Sequence, residues 1–315
     1  MTSEPFDAEC RAHLEAQARD AGPWDAAWPL ARQREAWEAA CRKQRARRPD
    51  RLMIEDLAVE GIHVRIYRPP GEDPKPGVLY AHGGGWTMGS CETHDDLCAE
   101  LADQADVVVV CFDYRLAPEH RHPAQVEDAL AVLDWMRSSG RAIGIDPTHI
   151  IAAGDSAGGQ VAAGTALALK RDGGRGLRGL VLINPATGGD TETPSYLAQA
   201  NSPALSRDEM IECLVALLGP KGSASWSDMP NSAKDVSGLP PTFITVAAHD
   251  PLHDDGVIFA AKLRAAGVPV ALREEPSLAH SYWRLRHHSK AAMAGFRAIT
   301  QAVRHLAHEG AVPPT

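Results

Sequence analysis

One short sequence at a strand–helix junction restricts the fold of this chain more than any other feature. Residues 154–158 form a G-x-S-x-G sequence, preceded by an apolar run ending at Ala153 and followed by helix-like periodicity from about Ser156. Small residues are needed around such a serine, because the sharp turn brings the helix close to neighbouring strands. The pattern predicts a serine presented at the carboxyl end of a buried strand. The competing interpretation is a glycine-rich helix start without chemistry.

Strand-like and helix-like segments alternate on both sides of this junction. The strands are nearly continuous apolar runs, which is typical of a parallel sheet buried on both faces. We therefore expect an α/β fold with a mostly parallel central sheet and helices on both faces. The predicted strands are 62–67, 77–81, 107–112, 150–153, 180–184, 243–247 and 268–273, and the main helices are 124–137, about 156–170, about 254–266 and about 289–308.

Two further segments lie outside this alternation. The stretch 6–47 has the periodicity of two helices broken at Gly22-Pro23, and the stretch 185–239 is rich in Thr, Ser, Gly, Asp and Pro, with one apolar segment around 210–218. We interpret residues 1–50 as N-terminal helices and 51–315 as the main body. Residues 185–239 are then a partly helical insertion in that body.

Composition excludes several classes of partner. The formal net charge of −9 argues against nucleic acid, which normally requires a clustered positive surface. One basic run, Arg42 to Arg48, follows an amphipathic segment, and we interpret it as the cationic end of a helix. The six cysteines contain no C-x-x-C pair, which fits reduced thiols. With no signal-like or membrane-spanning apolar run, we expect a cytoplasmic protein without membrane contact.

A serine hydroxyl needs a base and an orienting carboxylate to become a nucleophile. In α/β folds that present the serine in a G-x-S-x-G turn, the acid and then the histidine follow it along the chain. Asp250 follows one predicted strand and His280 follows the next, so both are expected at the same sheet edge as Ser156. The other histidines after Ser156 flank the acid or fall in or beside the last helix. We therefore predict that Ser156, Asp250 and His280 form a catalytic triad.

A second glycine-rich segment, residues 82–86 with the sequence HGGGW, directly follows the predicted strand 77–81. Three glycines allow backbone N–H groups to turn toward a developing oxyanion. A phosphate cradle is the competing functional interpretation, but no Lys-Ser/Thr pair follows the glycines. A simple tight turn is the structural alternative, and neither alternative explains the downstream serine.

The chain resembles the hormone-sensitive-lipase family of bacterial esterases, which have the α/β-hydrolase fold. Four blocks carry the resemblance in the family's order over roughly residues 60–285: 82–86, 113–120 (DYRLAPEH), 154–159, and 250–256 (DPLHDDG). The resemblance implies that the amides of Gly84, Gly85 and Ala157 form the oxyanion hole and that His82 braces the loop. It also implies that the N-terminal helices and the 185–239 insertion form a cap over the active site.

Two departures from the family pattern concern the surroundings of the triad. Ser281 and Tyr282 follow the base where the family usually has Gly and Phe, and His249 and His253 flank the acid where an arginine is common at the second position. We expect the first departure to reshape the substrate pocket, which is one reason to place Tyr282 in it. Together with Tyr282, we predict that Trp86 and Asp155 bind substrate. We further predict that Asp155 is buried and paired, with Arg115 as its partner.

The predicted function is that of a serine carboxylesterase for short-chain acyl esters, acting without a cofactor or metal. The short-chain expectation rests on the resemblance and on bulky residues of the cap segments that would fill the room of a long chain: Trp24, Trp28, Trp37, Met210 and Trp226. The partner is a small-molecule ester, and the sequence is compatible with a homodimer.

Three alternatives remain open at this stage. An amidase or formamidase would use the same triad. A non-catalytic binding protein, as among the plant gibberellin receptors that resemble this family but lack the histidine, is disfavoured by His280. A metal-dependent hydrolase is suggested by the His and Asp clusters at 249–255 and 94–96, but it would leave the Ser156 turn and the glycine loop without a purpose.

Overall fold

The structure is a computed structural model, and it describes residues 5–20, 25, 27–72, 74–221, 223 and 228–314. Its centre is an eight-stranded sheet in the order β1-β2-β4-β3-β5-β6-β7-β8. Strand β2 pairs antiparallel with β1 and β4, whereas all pairs from β4 to β8 are parallel. The strands are β1 (Met53–Val59), β2 (Ile62–Arg68), β3 (Lys75–Ala81), β4 (Val108–Phe112), β5 (Ile145–Asp155), β6 (Leu180–Ile183), β7 (Thr242–His249) and β8 (Val270–Ala279).

Helices cover both faces of this sheet. They are α1 (Ala8–Asp20), α2 (Leu30–Gln44), α3 (Asp95–Ala105), α4 (Ala124–Ser139), α5 (Ala157–Arg171), α6 (Pro194–Ala198), α7 (Arg207–Leu218), α8 (His253–Ala265) and α9 (Lys290–Glu309), with short 3₁₀ turns at Gly140–Ile143, Pro230–Ser232 and Tyr282–Leu285. The predicted mostly parallel α/β architecture is confirmed.

The buried apolar residues of the strands form two cores, one on each face of the sheet. In β4, every residue is buried: Val108 and Val110 face the core that includes α4, α5 and α8, whereas Val109 and Cys111 face the core under α3 and α9. This division follows from the two-residue period of a strand. A strand buried on both faces has no polar side, which explains its continuous apolar sequence.

Two elements were not predicted from the sequence. Strand β1 is mostly exposed and carries acidic residues, and α3 is an eleven-residue helix beginning at Asp95. Strand β5 is also longer than the predicted 150–153. The helix break at Gly22-Pro23 lies outside the described residues, as do Trp24 and Trp226.

Helix α2 lies against the loop that follows β3. Its Arg34 donates hydrogen bonds to the carbonyl oxygens of Thr87 and Ala117 and forms an ion pair with Glu119. The basic residues at the end of α2 contact acidic side chains, including ion pairs from Arg45. In the part of the chain that the structure describes, no helix is both long enough and apolar enough to cross a membrane.

Candidate active site

Ser156 occupies the junction between β5 and α5 in a strained backbone conformation. Its φ of +55° and ψ of −120° are unusual for a residue with a side chain. The turn is secured by a 2.8 Å hydrogen bond from the Ser156 amide to the Ile183 carbonyl. Gly158 in the first turn of α5 packs directly against β3, since a Cβ atom there would lie 1.9 Å from the Ala81 carbonyl oxygen. This packing holds the serine at the carboxyl edge of the sheet.

Asp250 and His280 meet Ser156 at this edge. The Nδ1 atom of His280 lies 2.7 Å from Asp250 Oδ2, and its Nε2 atom lies 3.0 Å from Ser156 Oγ. If Nδ1 carries the proton that Asp250 accepts, Nε2 is free to accept the serine proton. All three side chains are buried or nearly so. The structure therefore brings together the three residues predicted for the triad, in hydrogen-bonding order.

The carboxylate is oriented by groups that the sequence analysis did not identify. Asn184, directly after β6, donates a 2.6 Å hydrogen bond to Asp250 Oδ2, and the Leu252 amide donates one of 2.9 Å to Oδ1. With His280, these donors hold both oxygens of the Asp250 carboxylate. The position of Asn184 at the end of a parallel strand is the signal that points to it, because such ends converge at one edge.

The glycine loop after β3 lies beside Ser156. Gly84 and Gly85 have φ values of +127° and +58°, and added Cβ atoms would lie 2.3 Å from Met88 O and Cys213 Sγ, respectively. The amides of Gly84, Gly85 and Ala157 donate no hydrogen bond to another described residue. These three amides are therefore available to a substrate oxygen.

His82 supports this loop from below. Its ring is fully buried, stacks on Tyr114 with 4.1 Å between centroids, and has Nδ1 2.9 Å from the Gly83 carbonyl oxygen. Tyr114 also donates a 2.8 Å hydrogen bond to the His82 carbonyl oxygen. Burial lowers the pKa of His82 to about 4, so the ring is neutral near pH 7. These contacts fit the bracing role implied by the resemblance.

Asp155 is buried and paired as expected, but its predicted partner is wrong. Arg115 pairs with Asp128 and Glu127. Asp155 instead accepts a 2.7 Å hydrogen bond from the Tyr80 hydroxyl and lies 3.2 Å from His94 Nε2. The direction of the strand explains the difference, because Asp155 faces the α3 side of the sheet and Arg115 runs along α4.

The electrostatics of Asp155 follow from these contacts. Burial raises its pKa, but the His94 ring, the positive charge of Arg284 and the Tyr80 hydrogen bond together lower the pKa to about 2. Asp155 also accepts a 3.2 Å hydrogen bond from the Gly83 amide. Through this bond, the Asp155 carboxylate connects the end of β5, next to Ser156, to the glycine loop.

Two residues that we expected to bind substrate lie in the core instead. Trp86 is fully buried and donates a 3.0 Å hydrogen bond from Nε1 to Gln160. Tyr282 is 1 % exposed, and its hydroxyl lies 2.9 Å from Thr245 Oγ1. Neither lines the cavity above Ser156. Ser281, between His280 and Tyr282, has a left-handed backbone with φ +59°. This conformation favours glycine, which the family usually has at this position, and it turns the Tyr282 ring inward.

A cavity of about 590 Å³ opens above Ser156 and His280. Helix α2 contributes Leu30, Gln33 and Trp37 to its wall, and α7 contributes Met210, Cys213 and Ala216 among others. Arg284 is the cationic side chain among the described residues that line it. Trp28 is not in this wall; the Arg32 guanidinium stacks over its ring at 3.8 Å. The wall above the triad is thus built from both segments outside the main alternation.

The His and Asp clusters that suggested a metal-dependent hydrolase serve other contacts. Asp250 holds His280, Asp254 accepts a hydrogen bond from the Ser195 amide, and Asp255 accepts one from the Gly188 amide. His94 contacts Thr93 and Asp155. Among the described residues, neither cluster brings three ligand atoms to a common point.

Asp255 gives rise to a prediction about pH. Burial, assisted by the charges of Asp250 and Asp254, raises its pKa to about 8, whereas the unfolded carboxyl has its ordinary value near 3.8. Stability from this group is complete below about pH 4 and is lost as pH rises toward 8. Asp255→Asn cannot ionise, so its free energy of unfolding should exceed that of wild type between pH 5 and 9. We expect this difference to grow as pH rises toward 8 and to reach the order of a few kcal/mol. Urea unfolding at several pH values measures this gain.

Asp254→Asn is the matched control for that prediction. Although burial raises its pKa, hydrogen bonds involving His253 and the Ser195 amide lower it overall. Asp254 therefore contributes stability above its unfolded pKa that is lost only in acid. Its replacement should give no relative gain between pH 5 and 9, and an equal gain in both variants would contradict the assignment.

The sheet order, the strained serine turn and the chain of hydrogen bonds at its edge define an α/β-hydrolase. A family model described as the alpha/beta hydrolase fold matches residues 78–284. The chain belongs to this family, in its hormone-sensitive-lipase-like branch.

Known relatives support this placement over most of their length. The chain is 43% identical over 228 residues to carboxylesterase NlhH of Mycobacterium tuberculosis, covering 70% of this chain and 71% of that protein. It is 34% identical over 275 residues to an ethyl acetate hydrolase of Pseudomonas putida, covering 82% and 84%. The solved hyperthermophilic esterase of Pyrobaculum calidifontis superposes with a TM-score of 0.86 at 31% identity, covering 96% and 99%.

Proposed function

We propose that this carboxylic ester hydrolase cleaves its substrates through a Ser156-His280-Asp250 triad and an acyl-enzyme intermediate. The observation that carries the proposal is the continuous hydrogen-bond chain from Asp250 through His280 to Ser156 Oγ, beside three backbone amides that donate to no acceptor among the described residues. The Asp250–His280 and His280–Ser156 contacts, of 2.7 and 3.0 Å, lie within ordinary hydrogen-bond distance and support these roles.

In the first half of the reaction, His280 Nε2 accepts the Ser156 proton as Oγ attacks the ester carbonyl. The carbonyl oxygen becomes an oxyanion, which the amides of Gly84, Gly85 and Ala157 stabilise. Asp250 stabilises the imidazolium form of His280. The C–O bond to the alcohol then breaks, and His280 donates its proton to the departing alkoxide.

In the second half, water replaces the alcohol. His280 accepts a proton from this water, whose oxygen attacks the acyl carbonyl, and the same amides hold the second oxyanion. The bond between the acyl carbon and Ser156 Oγ breaks, and His280 returns the proton to Oγ. The products are a carboxylic acid and an alcohol, and no metal or redox cofactor is required for these steps.

Sensitivity to inhibitors tests this mechanism against a metal-dependent one. A fluorophosphonate, which reacts with an activated serine hydroxyl, should abolish ester hydrolysis. An excess of EDTA should leave the rate unchanged. Inactivation by EDTA combined with resistance to the fluorophosphonate would contradict the triad.

We also propose that residues 1–50 and the insertion 185–239 cap the active site. The support is that α2 and α7 both wall the cavity above Ser156, through Trp37 and Met210 among others. A cap of this kind excludes water from the acyl-enzyme until the alcohol has left, and it limits the size of the substrate.

The acyl preference that follows is for short chains, about two to six carbons. Bulky side chains in the cavity wall, such as Trp37 and Met210, restrict its length, and one relative is an ethyl acetate hydrolase. We expect kcat/KM for p-nitrophenyl esters to fall for acyl chains longer than about six carbons. A series from acetate to palmitate measures this profile, and the corresponding anilides test amide cleavage at the same time.

A variant in the wall sharpens this test. Met210→Ala removes a buried side chain from the cavity and should shift the optimum toward longer chains. Val215→Ala, on the exposed side of the same helix, is its control and should leave the profile unchanged. A wild-type maximum at twelve carbons or more would contradict the short-chain proposal.

Two further proposals concern the environment of the enzyme. We expect it to act in the cytoplasm and to be compatible with a homodimer. Cell fractionation and size-exclusion chromatography with light scattering test these expectations separately from the chemistry.

A further inference from the structure

Three side chains with metal-ligating atoms converge outside the catalytic cavity, where β2 meets β4. A ring nitrogen of His63, the Cys91 sulfur and a carboxylate oxygen of Asp113 all lie within 4.8 Å of one another. Among the described residues, no other group of three or more histidine, cysteine or acidic side chains brings its ligand atoms this close together. We propose that His63, Cys91 and Asp113 form a binding site for a divalent ion of the zinc type.

The backbone explains why these residues meet. Strands β2 and β4 are antiparallel, and the Asp113 amide donates a 2.9 Å hydrogen bond to the His63 carbonyl oxygen just beyond β4. Residues opposite each other on antiparallel strands project to the same face. The Asp113 carboxylate then joins both other residues: Oδ2 lies 2.7 Å from His63 Nδ1, and Oδ1 accepts a 2.6 Å hydrogen bond from the Cys91 amide.

The donor set selects the type of ion. Thiolate, imidazole and carboxylate together are typical ligands of zinc, whereas magnesium and calcium prefer oxygen atoms alone. Bond lengths of about 2.0–2.3 Å place tetrahedral ligand atoms roughly 3.3–3.8 Å apart. The three atoms can reach these separations if the short His63–Asp113 hydrogen bond opens slightly. The Cys91 thiol releases its proton to water when the metal–sulfur bond forms.

The site is also open to solvent on one side. The Cys91 side chain is fully buried, but His63 is 42% exposed and Asp113 is 33% exposed. An ion can therefore enter from water, and a water molecule can complete its tetrahedral coordination. Three protein ligands with an open fourth position are usual for zinc sites that exchange a bound molecule.

The other nitrogen of the His63 ring has a partner that fits this role. His63 Nε2 lies 3.0 Å from Asp56 Oδ1, and Arg65 holds the Asp56 carboxylate through hydrogen bonds of 2.7 and 3.1 Å. A metal-bound histidine almost always donates its second N–H to a carboxylate or carbonyl group. With the ion bound, Asp56 would accept the Nε2–H hydrogen bond, and Nδ1 would bind the ion in place of its 2.7 Å contact with Asp113 Oδ2, releasing the proton of that contact to water.

Such an ion connects elements next to the catalytic loop without entering the ester chemistry. The ion would link His63 on β2, Cys91 in the segment after the glycine loop, and Asp113 just after β4. We expect metal binding to raise the Tm of the protein, because only the folded chain brings the three ligands together. The proposed ion is not required for ester hydrolysis, so the metal-free enzyme should remain active.

Titration of the chelator-treated 315-residue chain with Co²⁺ tests the site, because a cobalt–thiolate bond produces a near-ultraviolet charge-transfer band. We expect this band in wild type and its loss in Cys91→Ser. Because Cys91 is buried, His63→Gln provides a second test at a half-exposed position and should weaken Co²⁺ binding by at least about tenfold. Asp56→Asn should weaken it roughly 10–100-fold while the band remains.

Cys98→Ser is the matched control, since Cys98 is also buried but is not a proposed ligand. It should retain both the band and the Zn²⁺-induced rise in Tm. The proposal is overturned if wild type shows no cobalt–thiolate band, if Cys91→Ser and His63→Gln bind Co²⁺ like wild type, or if the band depends on Cys98 instead.

Discussion

Ser156→Ala should lower kcat/KM for a short-chain aryl ester by about a thousandfold or more while leaving the fold intact. The expected loss is this large because, among the described side chains, only Ser156 offers a hydroxyl to His280 Nε2. It also lies beside the glycine-loop amides that donate to no described acceptor. Only one hydroxyl oxygen is removed, so the packing of β5 against α5 is retained. Steady-state kinetics and thermal unfolding of the same preparations measure both parts.

Ser138→Ala is a matched control, because Ser138 is an exposed serine in α4, away from the cavity. It should keep wild-type activity. Turnover by Ser156→Ala within about tenfold of wild type, at equal purity and fold, would show that the nucleophile lies elsewhere.

Gly158→Ala should produce the largest loss of stability from a single methyl group. The added carbon would lie 1.9 Å from the Ala81 carbonyl oxygen and 2.7 Å from that of His82, and backbone atoms in a buried strand cannot move aside cheaply. We expect a loss of about 3 kcal/mol or more in the free energy of unfolding. The same displacement should disturb the glycine loop, so activity falls as well.

Gly164→Ala on the same helix is the control for this substitution. Its added carbon would lie 3.0 Å from a single methyl group of Val126, which can adjust, and alanine favours the helix by about 1 kcal/mol. We expect its Tm to stay near that of wild type. Equal Tm values for Gly158→Ala and wild type, by calorimetry, would show that the helix does not pack so closely against β3.

The buried part of the fold was predictable from sequence because its strands carry no polar side. The runs that became β3, β4 and β6 could be recognised from apolar residues alone. Strand β1 was missed because exposed residues, Glu55 and Asp56 among them, occur on both of its faces. Helix α3 was missed because it begins with two acidic residues, Asp95 and Asp96, directly after a loop without helical periodicity.

The triad was predictable for a related reason. The carboxyl ends of parallel strands meet at one edge, so residues 156, 250 and 280 could be placed together without knowing any distance. Residues whose role depends on side-chain direction were not predictable. Trp86 and Tyr282 are adjacent to catalytic motifs, but left-handed backbone at Trp86 and Ser281 turns both rings into the core.

The partners of buried carboxylates were hardest to infer. Asp155 is bound by Tyr80 and His94, from β3 and from the residue before α3, and Asp250 is bound by Asn184 from after β6. Each pair joins residues distant in sequence, and only Asn184 carries a signal in the sequence, its position at the end of a parallel strand. Arg115 was a reasonable partner by charge, but it lies on the other side of the sheet with Asp128.

Covalent labelling tests the central claim most directly. The enzyme is reacted with one equivalent of a fluorophosphonate, its intact mass is measured, and the modified peptide is sequenced by tandem mass spectrometry. We predict a single adduct on Ser156, formed in proportion to the loss of ester hydrolysis, and no adduct in Ser156→Ala. Complete loss of activity with the adduct on another residue, or full activity in protein fully labelled at Ser156, would contradict the proposed mechanism.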